Sequence, residues 1–528
     1  MNERFNVLVA GGGAAGLTAA AYCARAGLST LLCEKGEKTG GLVNTFRHRG
    51  FAFDAGVRAF EDSGIILPML RSLEIDLPMV QNPVSIGICD RWTKLSGRES
   101  LREYGNLLLS QFPGQEAEIG RILQEIERVM EYMDVLYGIE NPLFLDDFHD
   151  LEYVSKTLLP WLLKYSVNIK KAARLNEPVK TYLRKFTESE PLIDMICQHF
   201  FAETPSFFAL SYFGLYLDYR YPLGGTGKLA EKLTERLVEL GGTVRVNTAV
   251  VQVFPDLKQA ELSDGTRVEY ETLIWAANQR SLYEGLRQEL PKKAEEQKRL
   301  VESSQGIESV LTLYVGASGT PEEVASRCGA HAFYTPETAG LSTLPHWRTL
   351  ACDGEEAVRN WLVSYLERTT YEISVPALRD FSLAPEGKTG LVVSTLFDYA
   401  LAKWYFDAGK YEAFKSLCTS TILRVLEQSV FFGLSQRVEF SLCATPLTIE
   451  RETGNFQGAI TGWAFTNFPS PAVGDFQKIA RSVETPVPDV LQCGHWTFSP
   501  AGLPVAILTG KLAADAAAKR HKRRRKRS

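Results

Sequence analysis

The residues with the clearest chemical meaning lie near the start of the chain, where Gly11, Gly13 and Gly16 form a G-x-G-x-x-G motif. The motif follows an apolar run at 5–10, which predicts a strand, and it opens a small-residue run at 17–26, which predicts a helix. Gly11 would permit a tight turn, Gly13 would let backbone approach a pyrophosphate, and Gly16 would let the helix pack on the strand. The helix N-terminus would offer unpaired N–H groups to phosphates.

A second predicted strand at 30–33 ends in Glu34. A carboxylate at this position can accept hydrogen bonds from a ribose hydroxyl and would repel a ribose phosphate. The order of these features predicts a dinucleotide-binding unit: a strand, the glycine loop, a helix, a second strand and an acidic residue. An isolated glycine motif would not predict one.

The segments 40–42 and 50–56 then follow, with Gly-Gly-Leu and Gly-Phe-Ala-Phe-Asp-Ala-Gly. At these residues the sequence resembles the flavoprotein superfamily that includes amine oxidases, phytoene desaturases, carotenoid isomerases and retinol saturases. The resemblance implies FAD as the cofactor, with 41–42 near the pyrophosphate and ribityl chain and 56–57 near the flavin ring. For Arg58, which follows, we consider a surface salt bridge, which we favour, and a contact with flavin or substrate.

The same family has counterparts in the middle and at the end of the chain. Residues 250–251 fall where the family holds adenine, and 271–278 resemble its strand and small-residue turn. The closing segment 493–514 resembles that of phytoene desaturases, and its proline after Gly502-Leu503 suits a helix start. N–H groups at that helix start would face the flavin pyrimidine and stabilise negative charge on the reduced ring.

Two residues of the closing segment depart from the family pattern. Val505 stands where glycine is frequent, and His495 replaces a smaller residue. His495 could line the flavin site, donate a proton, or simply pack beside the cofactor, which is the reading we favour. The resemblance implies that the cofactor is held by Gly11, Gly13, Ala14, Ala15, Gly16, Glu34, Lys35, Gly41, Leu42, Gly56, Val57, Val250, Val251, Ala276, Gly494, Leu503, Pro504 and Val505.

These segments predict an α/β protein with a Rossmann-type, amine oxidase-like FAD-binding domain and a discontinuous α+β substrate domain. We expect residues 1–70, 220–300 and 481–518 to form the first domain, and 71–219 and 301–480 to form the second. Residues 519–528 would be a basic tail. Within the second domain, the aromatic-dense stretch at 200–213 suits either an ordinary core or the wall of an apolar tunnel.

An amphipathic stretch at 158–174 alternates apolar residues with lysines. It predicts either a core-facing helix with a solvated basic side, which we favour, or a segment lying at a membrane interface. Pro160 interrupts the pattern, so we expect two short pieces or a kink there.

Composition excludes several classes of protein. With 528 residues, 45% hydrophobic and 23% charged, the chain can bury large cores and is not disordered. Nine cysteines without a C-x-x-C pair argue against a disulfide framework or structural zinc and fit a reducing compartment. The seven histidines form no metal motif, so we predict no metal site.

The charge is unevenly distributed along the chain. Eight of the last ten residues are Lys or Arg, so the net charge of −5 leaves −13 on the remainder. Such a run predicts a solvated arm, with an anionic membrane surface as the next interpretation and nucleic acid as the least favoured. The N-terminus lacks the pattern of a signal peptide, and no apolar run reaches the roughly 20 residues of a membrane span. We therefore expect a cytoplasmic protein, either soluble or attached peripherally to a membrane.

The resemblance implies an FAD-dependent oxidoreductase that desaturates, saturates or isomerises carbon–carbon bonds of a long apolar substrate such as a carotenoid or retinoid. An amine oxidase-like enzyme and a non-catalytic flavin-fold protein at a membrane are the alternatives. A second glycine motif for a nicotinamide is missing. We therefore expect a quinone, oxygen or a carrier protein as electron partner, and the sequence identifies no catalytic residue.

Overall fold

The protein has a mixed α/β architecture built around two seven-stranded sheets. The computed structural model describes residues 3–61, 63–137, 139–145 and 154–526. The strands are β1 Glu3–Ala10, β2 Thr30–Cys33, β3 Thr45–His48, β4 Phe51–Asp54, β5 Met79–Gln81, β6 Val84–Ile88, β7 Arg91–Leu95, β8 Arg220–Pro222, β9 Thr243–Arg245, β10 Val250–Phe254, β11 Gln259–Leu262, β12 Arg267–Trp275, β13 Ser309–Ser318, β14 His331–Thr335, β15 Tyr371–Ser374, β16 Lys388–Phe397, β17 Val438–Ala444 and β18 Val490–Gln492.

The helices lie between and around these strands. They are α1 Ala14–Arg25, α2 Ile66–Ser72, α3 Ser100–Gln111, α4 Glu116–Tyr137, α5 Leu159–Ala173, α6 Val179–Leu183, α7 Glu190–Cys197, α8 Ser206–Leu215, α9 Lys228–Glu239, α10 Gln279–Gly285, α11 Lys292–Ser303, α12 Pro321–Val324, α13 Trp347–Leu350, α14 Glu355–Arg368, α15 Tyr399–Asp407, α16 Tyr411–Ser429, α17 Leu434–Arg437, α18 Pro446–Thr453 and α19 Leu503–Arg525. The predicted α/β fold class is confirmed.

The first sheet has the order β10-β11-β12-β1-β2-β9, and β18 also pairs with β12. Strands β12, β1, β2 and β9 run parallel, as in a sheet whose crossovers are helices. The small side chains of α1 let it pack closely on α19, where a Cβ on Gly510 would lie 2.5 Å from the carbonyl oxygen of Ala15. The start of α1 is thereby held against both the sheet and the start of α19.

The second sheet has the order β17-β13-β16-β15-β14-β6-β7. Alternate residues of a strand lie on opposite faces, and β13 uses this division. Leu311 and Leu313 pack into a core with helices α14 and α16, whereas Thr312 and Tyr314 line a cavity. The sheet therefore has an apolar face toward its helices and a partly polar face toward the candidate site.

The basic tail is not the free arm that its composition predicts, because α19 continues through it to Arg525. One side of this helix end pairs with acidic residues of the body. Arg520 contacts Glu484, and His521 Nδ1 lies 2.8 Å from a carboxylate oxygen of Glu271. These acidic partners on distant segments hold the basic residues in a helix, and local sequence does not reveal the partners.

Pro160 lies where the helix changes its hydrogen-bonding pattern. A π-helical turn at Val154–Leu158 runs directly into helix α5, and Pro160 is the second residue of α5. Because proline lacks the N–H of a regular helix, the irregularity expected here takes the form of this change in helix type. The exposed fractions of Leu159 and Val167 are 57% and 53%, so α5 does not bury all of its apolar residues. Across the described ranges, no helix has both the length and the apolar character needed to span a membrane.

Candidate active site

The glycine loop joins β1 to α1, and its three glycines have different surroundings. Gly11 has φ +106°, and a Cβ on it would lie 3.0 Å from backbone atoms of Ala276. A Cβ on Gly16 would lie 1.9 Å from the carbonyl oxygen of Gly11. A Cβ on Gly13 would meet nothing within 4 Å, and its backbone is extended, with φ −70° and ψ 176°. Gly11 and Gly16 thus allow the turn and the packing, whereas Gly13 borders open space.

Glu34 follows β2 and is tied to the glycine loop through its carboxylate. Oε2 accepts a hydrogen bond from the Gly12 N–H at 2.7 Å, and Oε1 accepts one from the Gly36 N–H at 2.8 Å. A carboxylate offers about four acceptor positions. Glu34 can therefore hold the loop and still accept a hydrogen bond from a ligand hydroxyl.

Two further turns pack against the loop. Gly41 has φ +57°, and a Cβ there would lie 3.5 Å from the Cα of Gly13. The carbonyl oxygen of Leu42 accepts a hydrogen bond from the Val57 N–H at 3.1 Å. A Cβ on Gly56 would lie only 2.1 Å from that oxygen, so this close approach requires glycine.

Sequence reasoning missed the role of Asp54, which joins the turn at 54–57 to the segment at 221–228. The Asp54 side chain is fully buried and accepts four hydrogen bonds. Oδ1 accepts from the Thr45 hydroxyl at 2.9 Å and from the N–H and hydroxyl of Thr226 at 2.8 and 2.9 Å. Oδ2 accepts from the Tyr221 hydroxyl at 2.6 Å. Its position before the Ala-Gly turn was the only sequence signal.

The closing segment reaches the same region from the C-terminal side. Gly494 has φ +102° and its N–H donates to the Thr509 hydroxyl of α19 at 2.9 Å. His495 follows, and among the described residues its Nε2 has no hydrogen-bond partner. Burial lowers the pKa of His495 to about 4, so its imidazole is neutral at pH 7. This favours the packed, cavity-lining interpretation of His495 over a proton donor.

One cavity of about 1120 Å³ brings these segments together, and it exceeds the usual 300–1,000 Å³ of a small-molecule pocket. Fourteen predicted cofactor residues line it: Gly11, Gly13, Ala14, Ala15, Glu34, Lys35, Gly41, Leu42, Gly56, Val57, Val250, Ala276, Gly494 and Leu503. Gly16, Val251, Pro504 and Val505 do not line the cavity. The side chain of Val251 is 42% exposed, as expected one residue along the strand from Val250.

Beyond the glycine segments the cavity continues as a channel with aromatic walls. Helix α8 contributes Phe208 and Tyr212, four residues apart and so on one helix face. Phe207 and Phe213, on other faces of α8, are buried in the core. The aromatic stretch therefore serves both as core and as channel wall. The remaining aromatic lining residues here are Phe200, Phe201, Tyr216, Tyr219 and Phe333.

Arg58 is not part of a surface salt bridge, because it is only 5% exposed and lines the cavity. Its Nη1 donates to the carbonyl oxygen of Asp54 at 2.9 Å, and its Nη2 donates to the Ser394 hydroxyl at 2.7 Å. Ser394 lies on β16, so Arg58 joins the glycine turn to the second sheet. Local sequence could not reveal this, since the partner is more than 300 positions away.

Burial shifts the pKa values of several titratable groups of the channel toward their neutral forms. It lowers the pKa of His199 to about 4 and raises the pKa of the Tyr216 and Tyr219 hydroxyls well above their usual value. It also raises the pKa of the Glu61 carboxyl to about 7. Within the described part of the chain, no three His, Cys, Asp or Glu side chains are grouped to hold a metal ion.

Comparisons with known proteins give one family match and several similar proteins. Residues 9–73 match the family described as an NAD(P)-binding Rossmann-like domain. All-trans-retinol 13,14-reductase of Danio rerio is 24% identical over 87% of this chain and 78% of its own length. Phytoene desaturase of Fusarium fujikuroi is 22% identical over 97% of this chain and 88% of its own length.

A solved structure of putrescine oxidase bound to putrescine has the same fold. It aligns with 97% of this chain and 98% of its own chain, with a TM-score of 0.60 and 14% identity. By sequence the chain is therefore similar to retinol 13,14-reductases and phytoene desaturases, and by fold it is similar to putrescine oxidase.

Proposed function

We propose that the protein is an FAD-dependent oxidoreductase that acts on carbon–carbon bonds of a long apolar polyene such as a carotenoid or retinoid. The observation that carries this proposal is the single cavity, which joins the glycine loop at one end to an aromatic channel at the other. An aromatic channel suits a long conjugated chain, because burial of apolar surface supplies the binding free energy. The sequence relatives named above act on retinol or phytoene by name.

The residues of the cavity fit FAD. Gly13 leaves open space beside the start of α1, where a pyrophosphate would accept hydrogen bonds from N–H groups. Glu34 would accept from the ribose, and residues 56–57, Gly494 and Leu503 would lie along the isoalloxazine. When bound, the flavin would supply hydride transfer to or from carbon.

The protein would supply position and exclusion of water. The aromatic side chains of the channel would hold the polyene in one orientation, and a fixed orientation lowers the entropy cost of reaction. The electron partner proposed is a quinone, oxygen or a carrier protein. Whether a double bond is formed, reduced or isomerised depends on that partner and on the redox state in which substrate binds.

The amine oxidase-like alternative is favoured by the fold alone, since putrescine oxidase shares it.

Purification under native conditions tests the cofactor first, and we expect a yellow protein that releases FAD, identified by mass, on denaturation. Anaerobic addition of retinoids and carotenoids should then change the flavin spectrum, whereas long-chain amines should not. A colourless protein that FAD does not reconstitute would refute the proposal, and a response to amines alone would support the alternative.

The end of α19 suggests peripheral attachment to an anionic membrane. Its exposed cations Lys519, Lys522, Arg523 and Lys526 share one helix face, because they are spaced i, i+3, i+4 and i+7. Replacing all four with Glu should weaken sedimentation with phosphatidylserine vesicles by about 100-fold or more, at roughly 1 kcal/mol per basic residue.

A control for this prediction reverses the same number of cations on α11, at Lys292, Lys293, Lys298 and Arg299. This variant has the same net charge and should keep its vesicle binding. Equal loss in both variants would show only a general charge effect and would refute the role of the α19 face.

A further inference from the structure

A chain of four polar side chains crosses the cavity face of the second sheet. Arg379 Nη1 donates to Asn82 Oδ1 at 3.0 Å, and Asn82 Nδ2 lies 3.0 Å from His331 Nδ1. His331 Nε2 lies 2.9 Å from Glu372 Oε1. His331 and Asn82 are each only 1% exposed, so burial fixes the two inner side chains of this series.

The direction of donation along this chain follows from its first member. A guanidinium can only donate, so the Asn82 oxygen faces Arg379 and the Asn82 amide nitrogen donates to His331. His331 Nδ1 must then be the acceptor, and the proton of the neutral ring lies on Nε2. That proton is donated to Glu372, which is therefore held as a carboxylate. Consistent with this, burial lowers the pKa of His331, and the hydrogen bond from His331 lowers the pKa of Glu372 despite its burial.

Glu372 ends the chain at the cavity. It lines the cavity, and its side chain is 31% exposed. Among the described residues, only Oε1 carries a hydrogen bond, so Oε2 remains available to a ligand. Glu372 pairs across the sheet with Ser394, which binds Arg58 beside the glycine turn. The carboxylate therefore lies in the same cavity as both the turn and the aromatic walls.

The carboxylate of Glu372 is already compensated by cations. The guanidinium groups of Arg58 and Arg379 both lower its pKa, and the pKa of the neighbouring His331 is lowered by burial, so that ring is neutral. Arg379 also stacks over the Tyr221 ring at 3.7 Å from its centroid. A cationic ligand would therefore gain little, because Arg58 and Arg379 already compensate this carboxylate. A carboxylate ligand at Oε2 would lie directly against a second carboxylate, whereas a neutral hydroxyl can donate to it.

We propose that Glu372 is the specificity-determining residue of the channel, where its free oxygen accepts a hydrogen bond from a hydroxyl group at one end of the substrate. This inference rests on the proposed function and adds to it the class of substrate, a polyene alcohol rather than a hydrocarbon, ester, acid or amine. The channel would bury the apolar chain, and the Arg379–Asn82–His331 relay would hold the acceptor in place.

The test measures binding to the oxidised, FAD-loaded protein by fluorescence quenching, with retinol, retinyl acetate, retinoic acid and retinylamine as probes. The wild-type protein should bind retinol at least tenfold more tightly than each of the others, as expected for a hydrogen bond to a charged acceptor. Equal affinities for retinol and retinyl acetate, or tighter binding of the amine, would overturn the inference. This arm requires no variant.

The second arm compares Glu372→Gln with the wild-type protein. The variant should bind retinol about tenfold more weakly and retinoic acid several-fold more tightly, because the repelling charge is gone. A gain in acid binding cannot arise from damage to the fold. Glu439→Gln, on strand β17 and outside the cavity lining, is the matched control and should leave all four affinities unchanged.

The outcomes separate this inference from the proposed function. A yellow protein that binds all polyenes without preference for the alcohol keeps the proposed function and overturns the role of Glu372. A protein that binds FAD but no polyene overturns both. An unchanged retinoic acid affinity in Glu372→Gln, with the fold intact, overturns the inference alone.

Discussion

Gly13→Val is expected to abolish FAD binding while leaving the fold intact. The extended backbone of Gly13 suits valine, and a Cβ there meets no protein atom within 4 Å. The side chain would instead occupy the space proposed for the pyrophosphate. We expect the dissociation constant for FAD to rise about 100-fold or more, against a cost to stability of about 1 kcal/mol from the poorer helix cap.

Two measurements check this prediction. The purified variant should be colourless, and added FAD should raise the melting temperature of the wild-type protein but not of the variant. Gly120→Val is the matched control, because a Cβ on Gly120 also meets nothing within 4 Å and Gly120 lies on α4, outside the cavity lining. A yellow Gly13→Val protein would contradict the proposed position of the pyrophosphate.

Asp54→Ala is expected to destabilise the fold more than any other single substitution described above. It removes the acceptor of four hydrogen bonds and leaves the buried donors of Thr226 and Tyr221 without it. A buried donor without a partner costs about 1–3 kcal/mol, so we expect a loss of about 3 kcal/mol or more in the free energy of unfolding.

Chemical denaturation followed by far-UV circular dichroism measures this loss. Asp54→Asn keeps Oδ1 as the acceptor for Thr45 and Thr226, and the Tyr221 hydroxyl can rotate to accept from the new amide, so this variant should lose no more than about 1 kcal/mol. Asp90→Ala, at an exposed carboxylate, should be neutral. Equal destabilisation by Asn and Ala would show that the charge of Asp54, rather than its acceptor geometry, stabilises the turn.

The sequence could reveal those parts of the site whose residues lie close together along the chain. The glycine loop and Glu34 lie within 24 residues of one another, and spacing alone predicted them. The approach of Gly56 to Leu42 is similarly local, and the family resemblance pointed to that turn. These positions are constrained by backbone geometry, which leaves a pattern in residue type.

The polar side of the cavity left no such pattern. Asn82, His331 and Glu372 are far apart in the sequence. The register of β6 with β14 brings Asn82 to His331, and the register of β14 with β15 brings His331 to Glu372. A lone histidine or glutamate in a strand has no distinctive spacing. Arg58 was interpreted as a surface residue for the same reason. Its burial depends on Ser394, which lies in a remote strand.

The continuity of α19 fixes the distance between the cavity and the cationic end of the helix. Its 23 residues span about 35 Å, from Leu503 at the cavity to the cationic end. The helix acts as a rigid spacer between them. The cationic face and the Leu503 turn therefore keep a fixed separation, so whatever binds at the cationic end is held about 35 Å along the helix from the cavity.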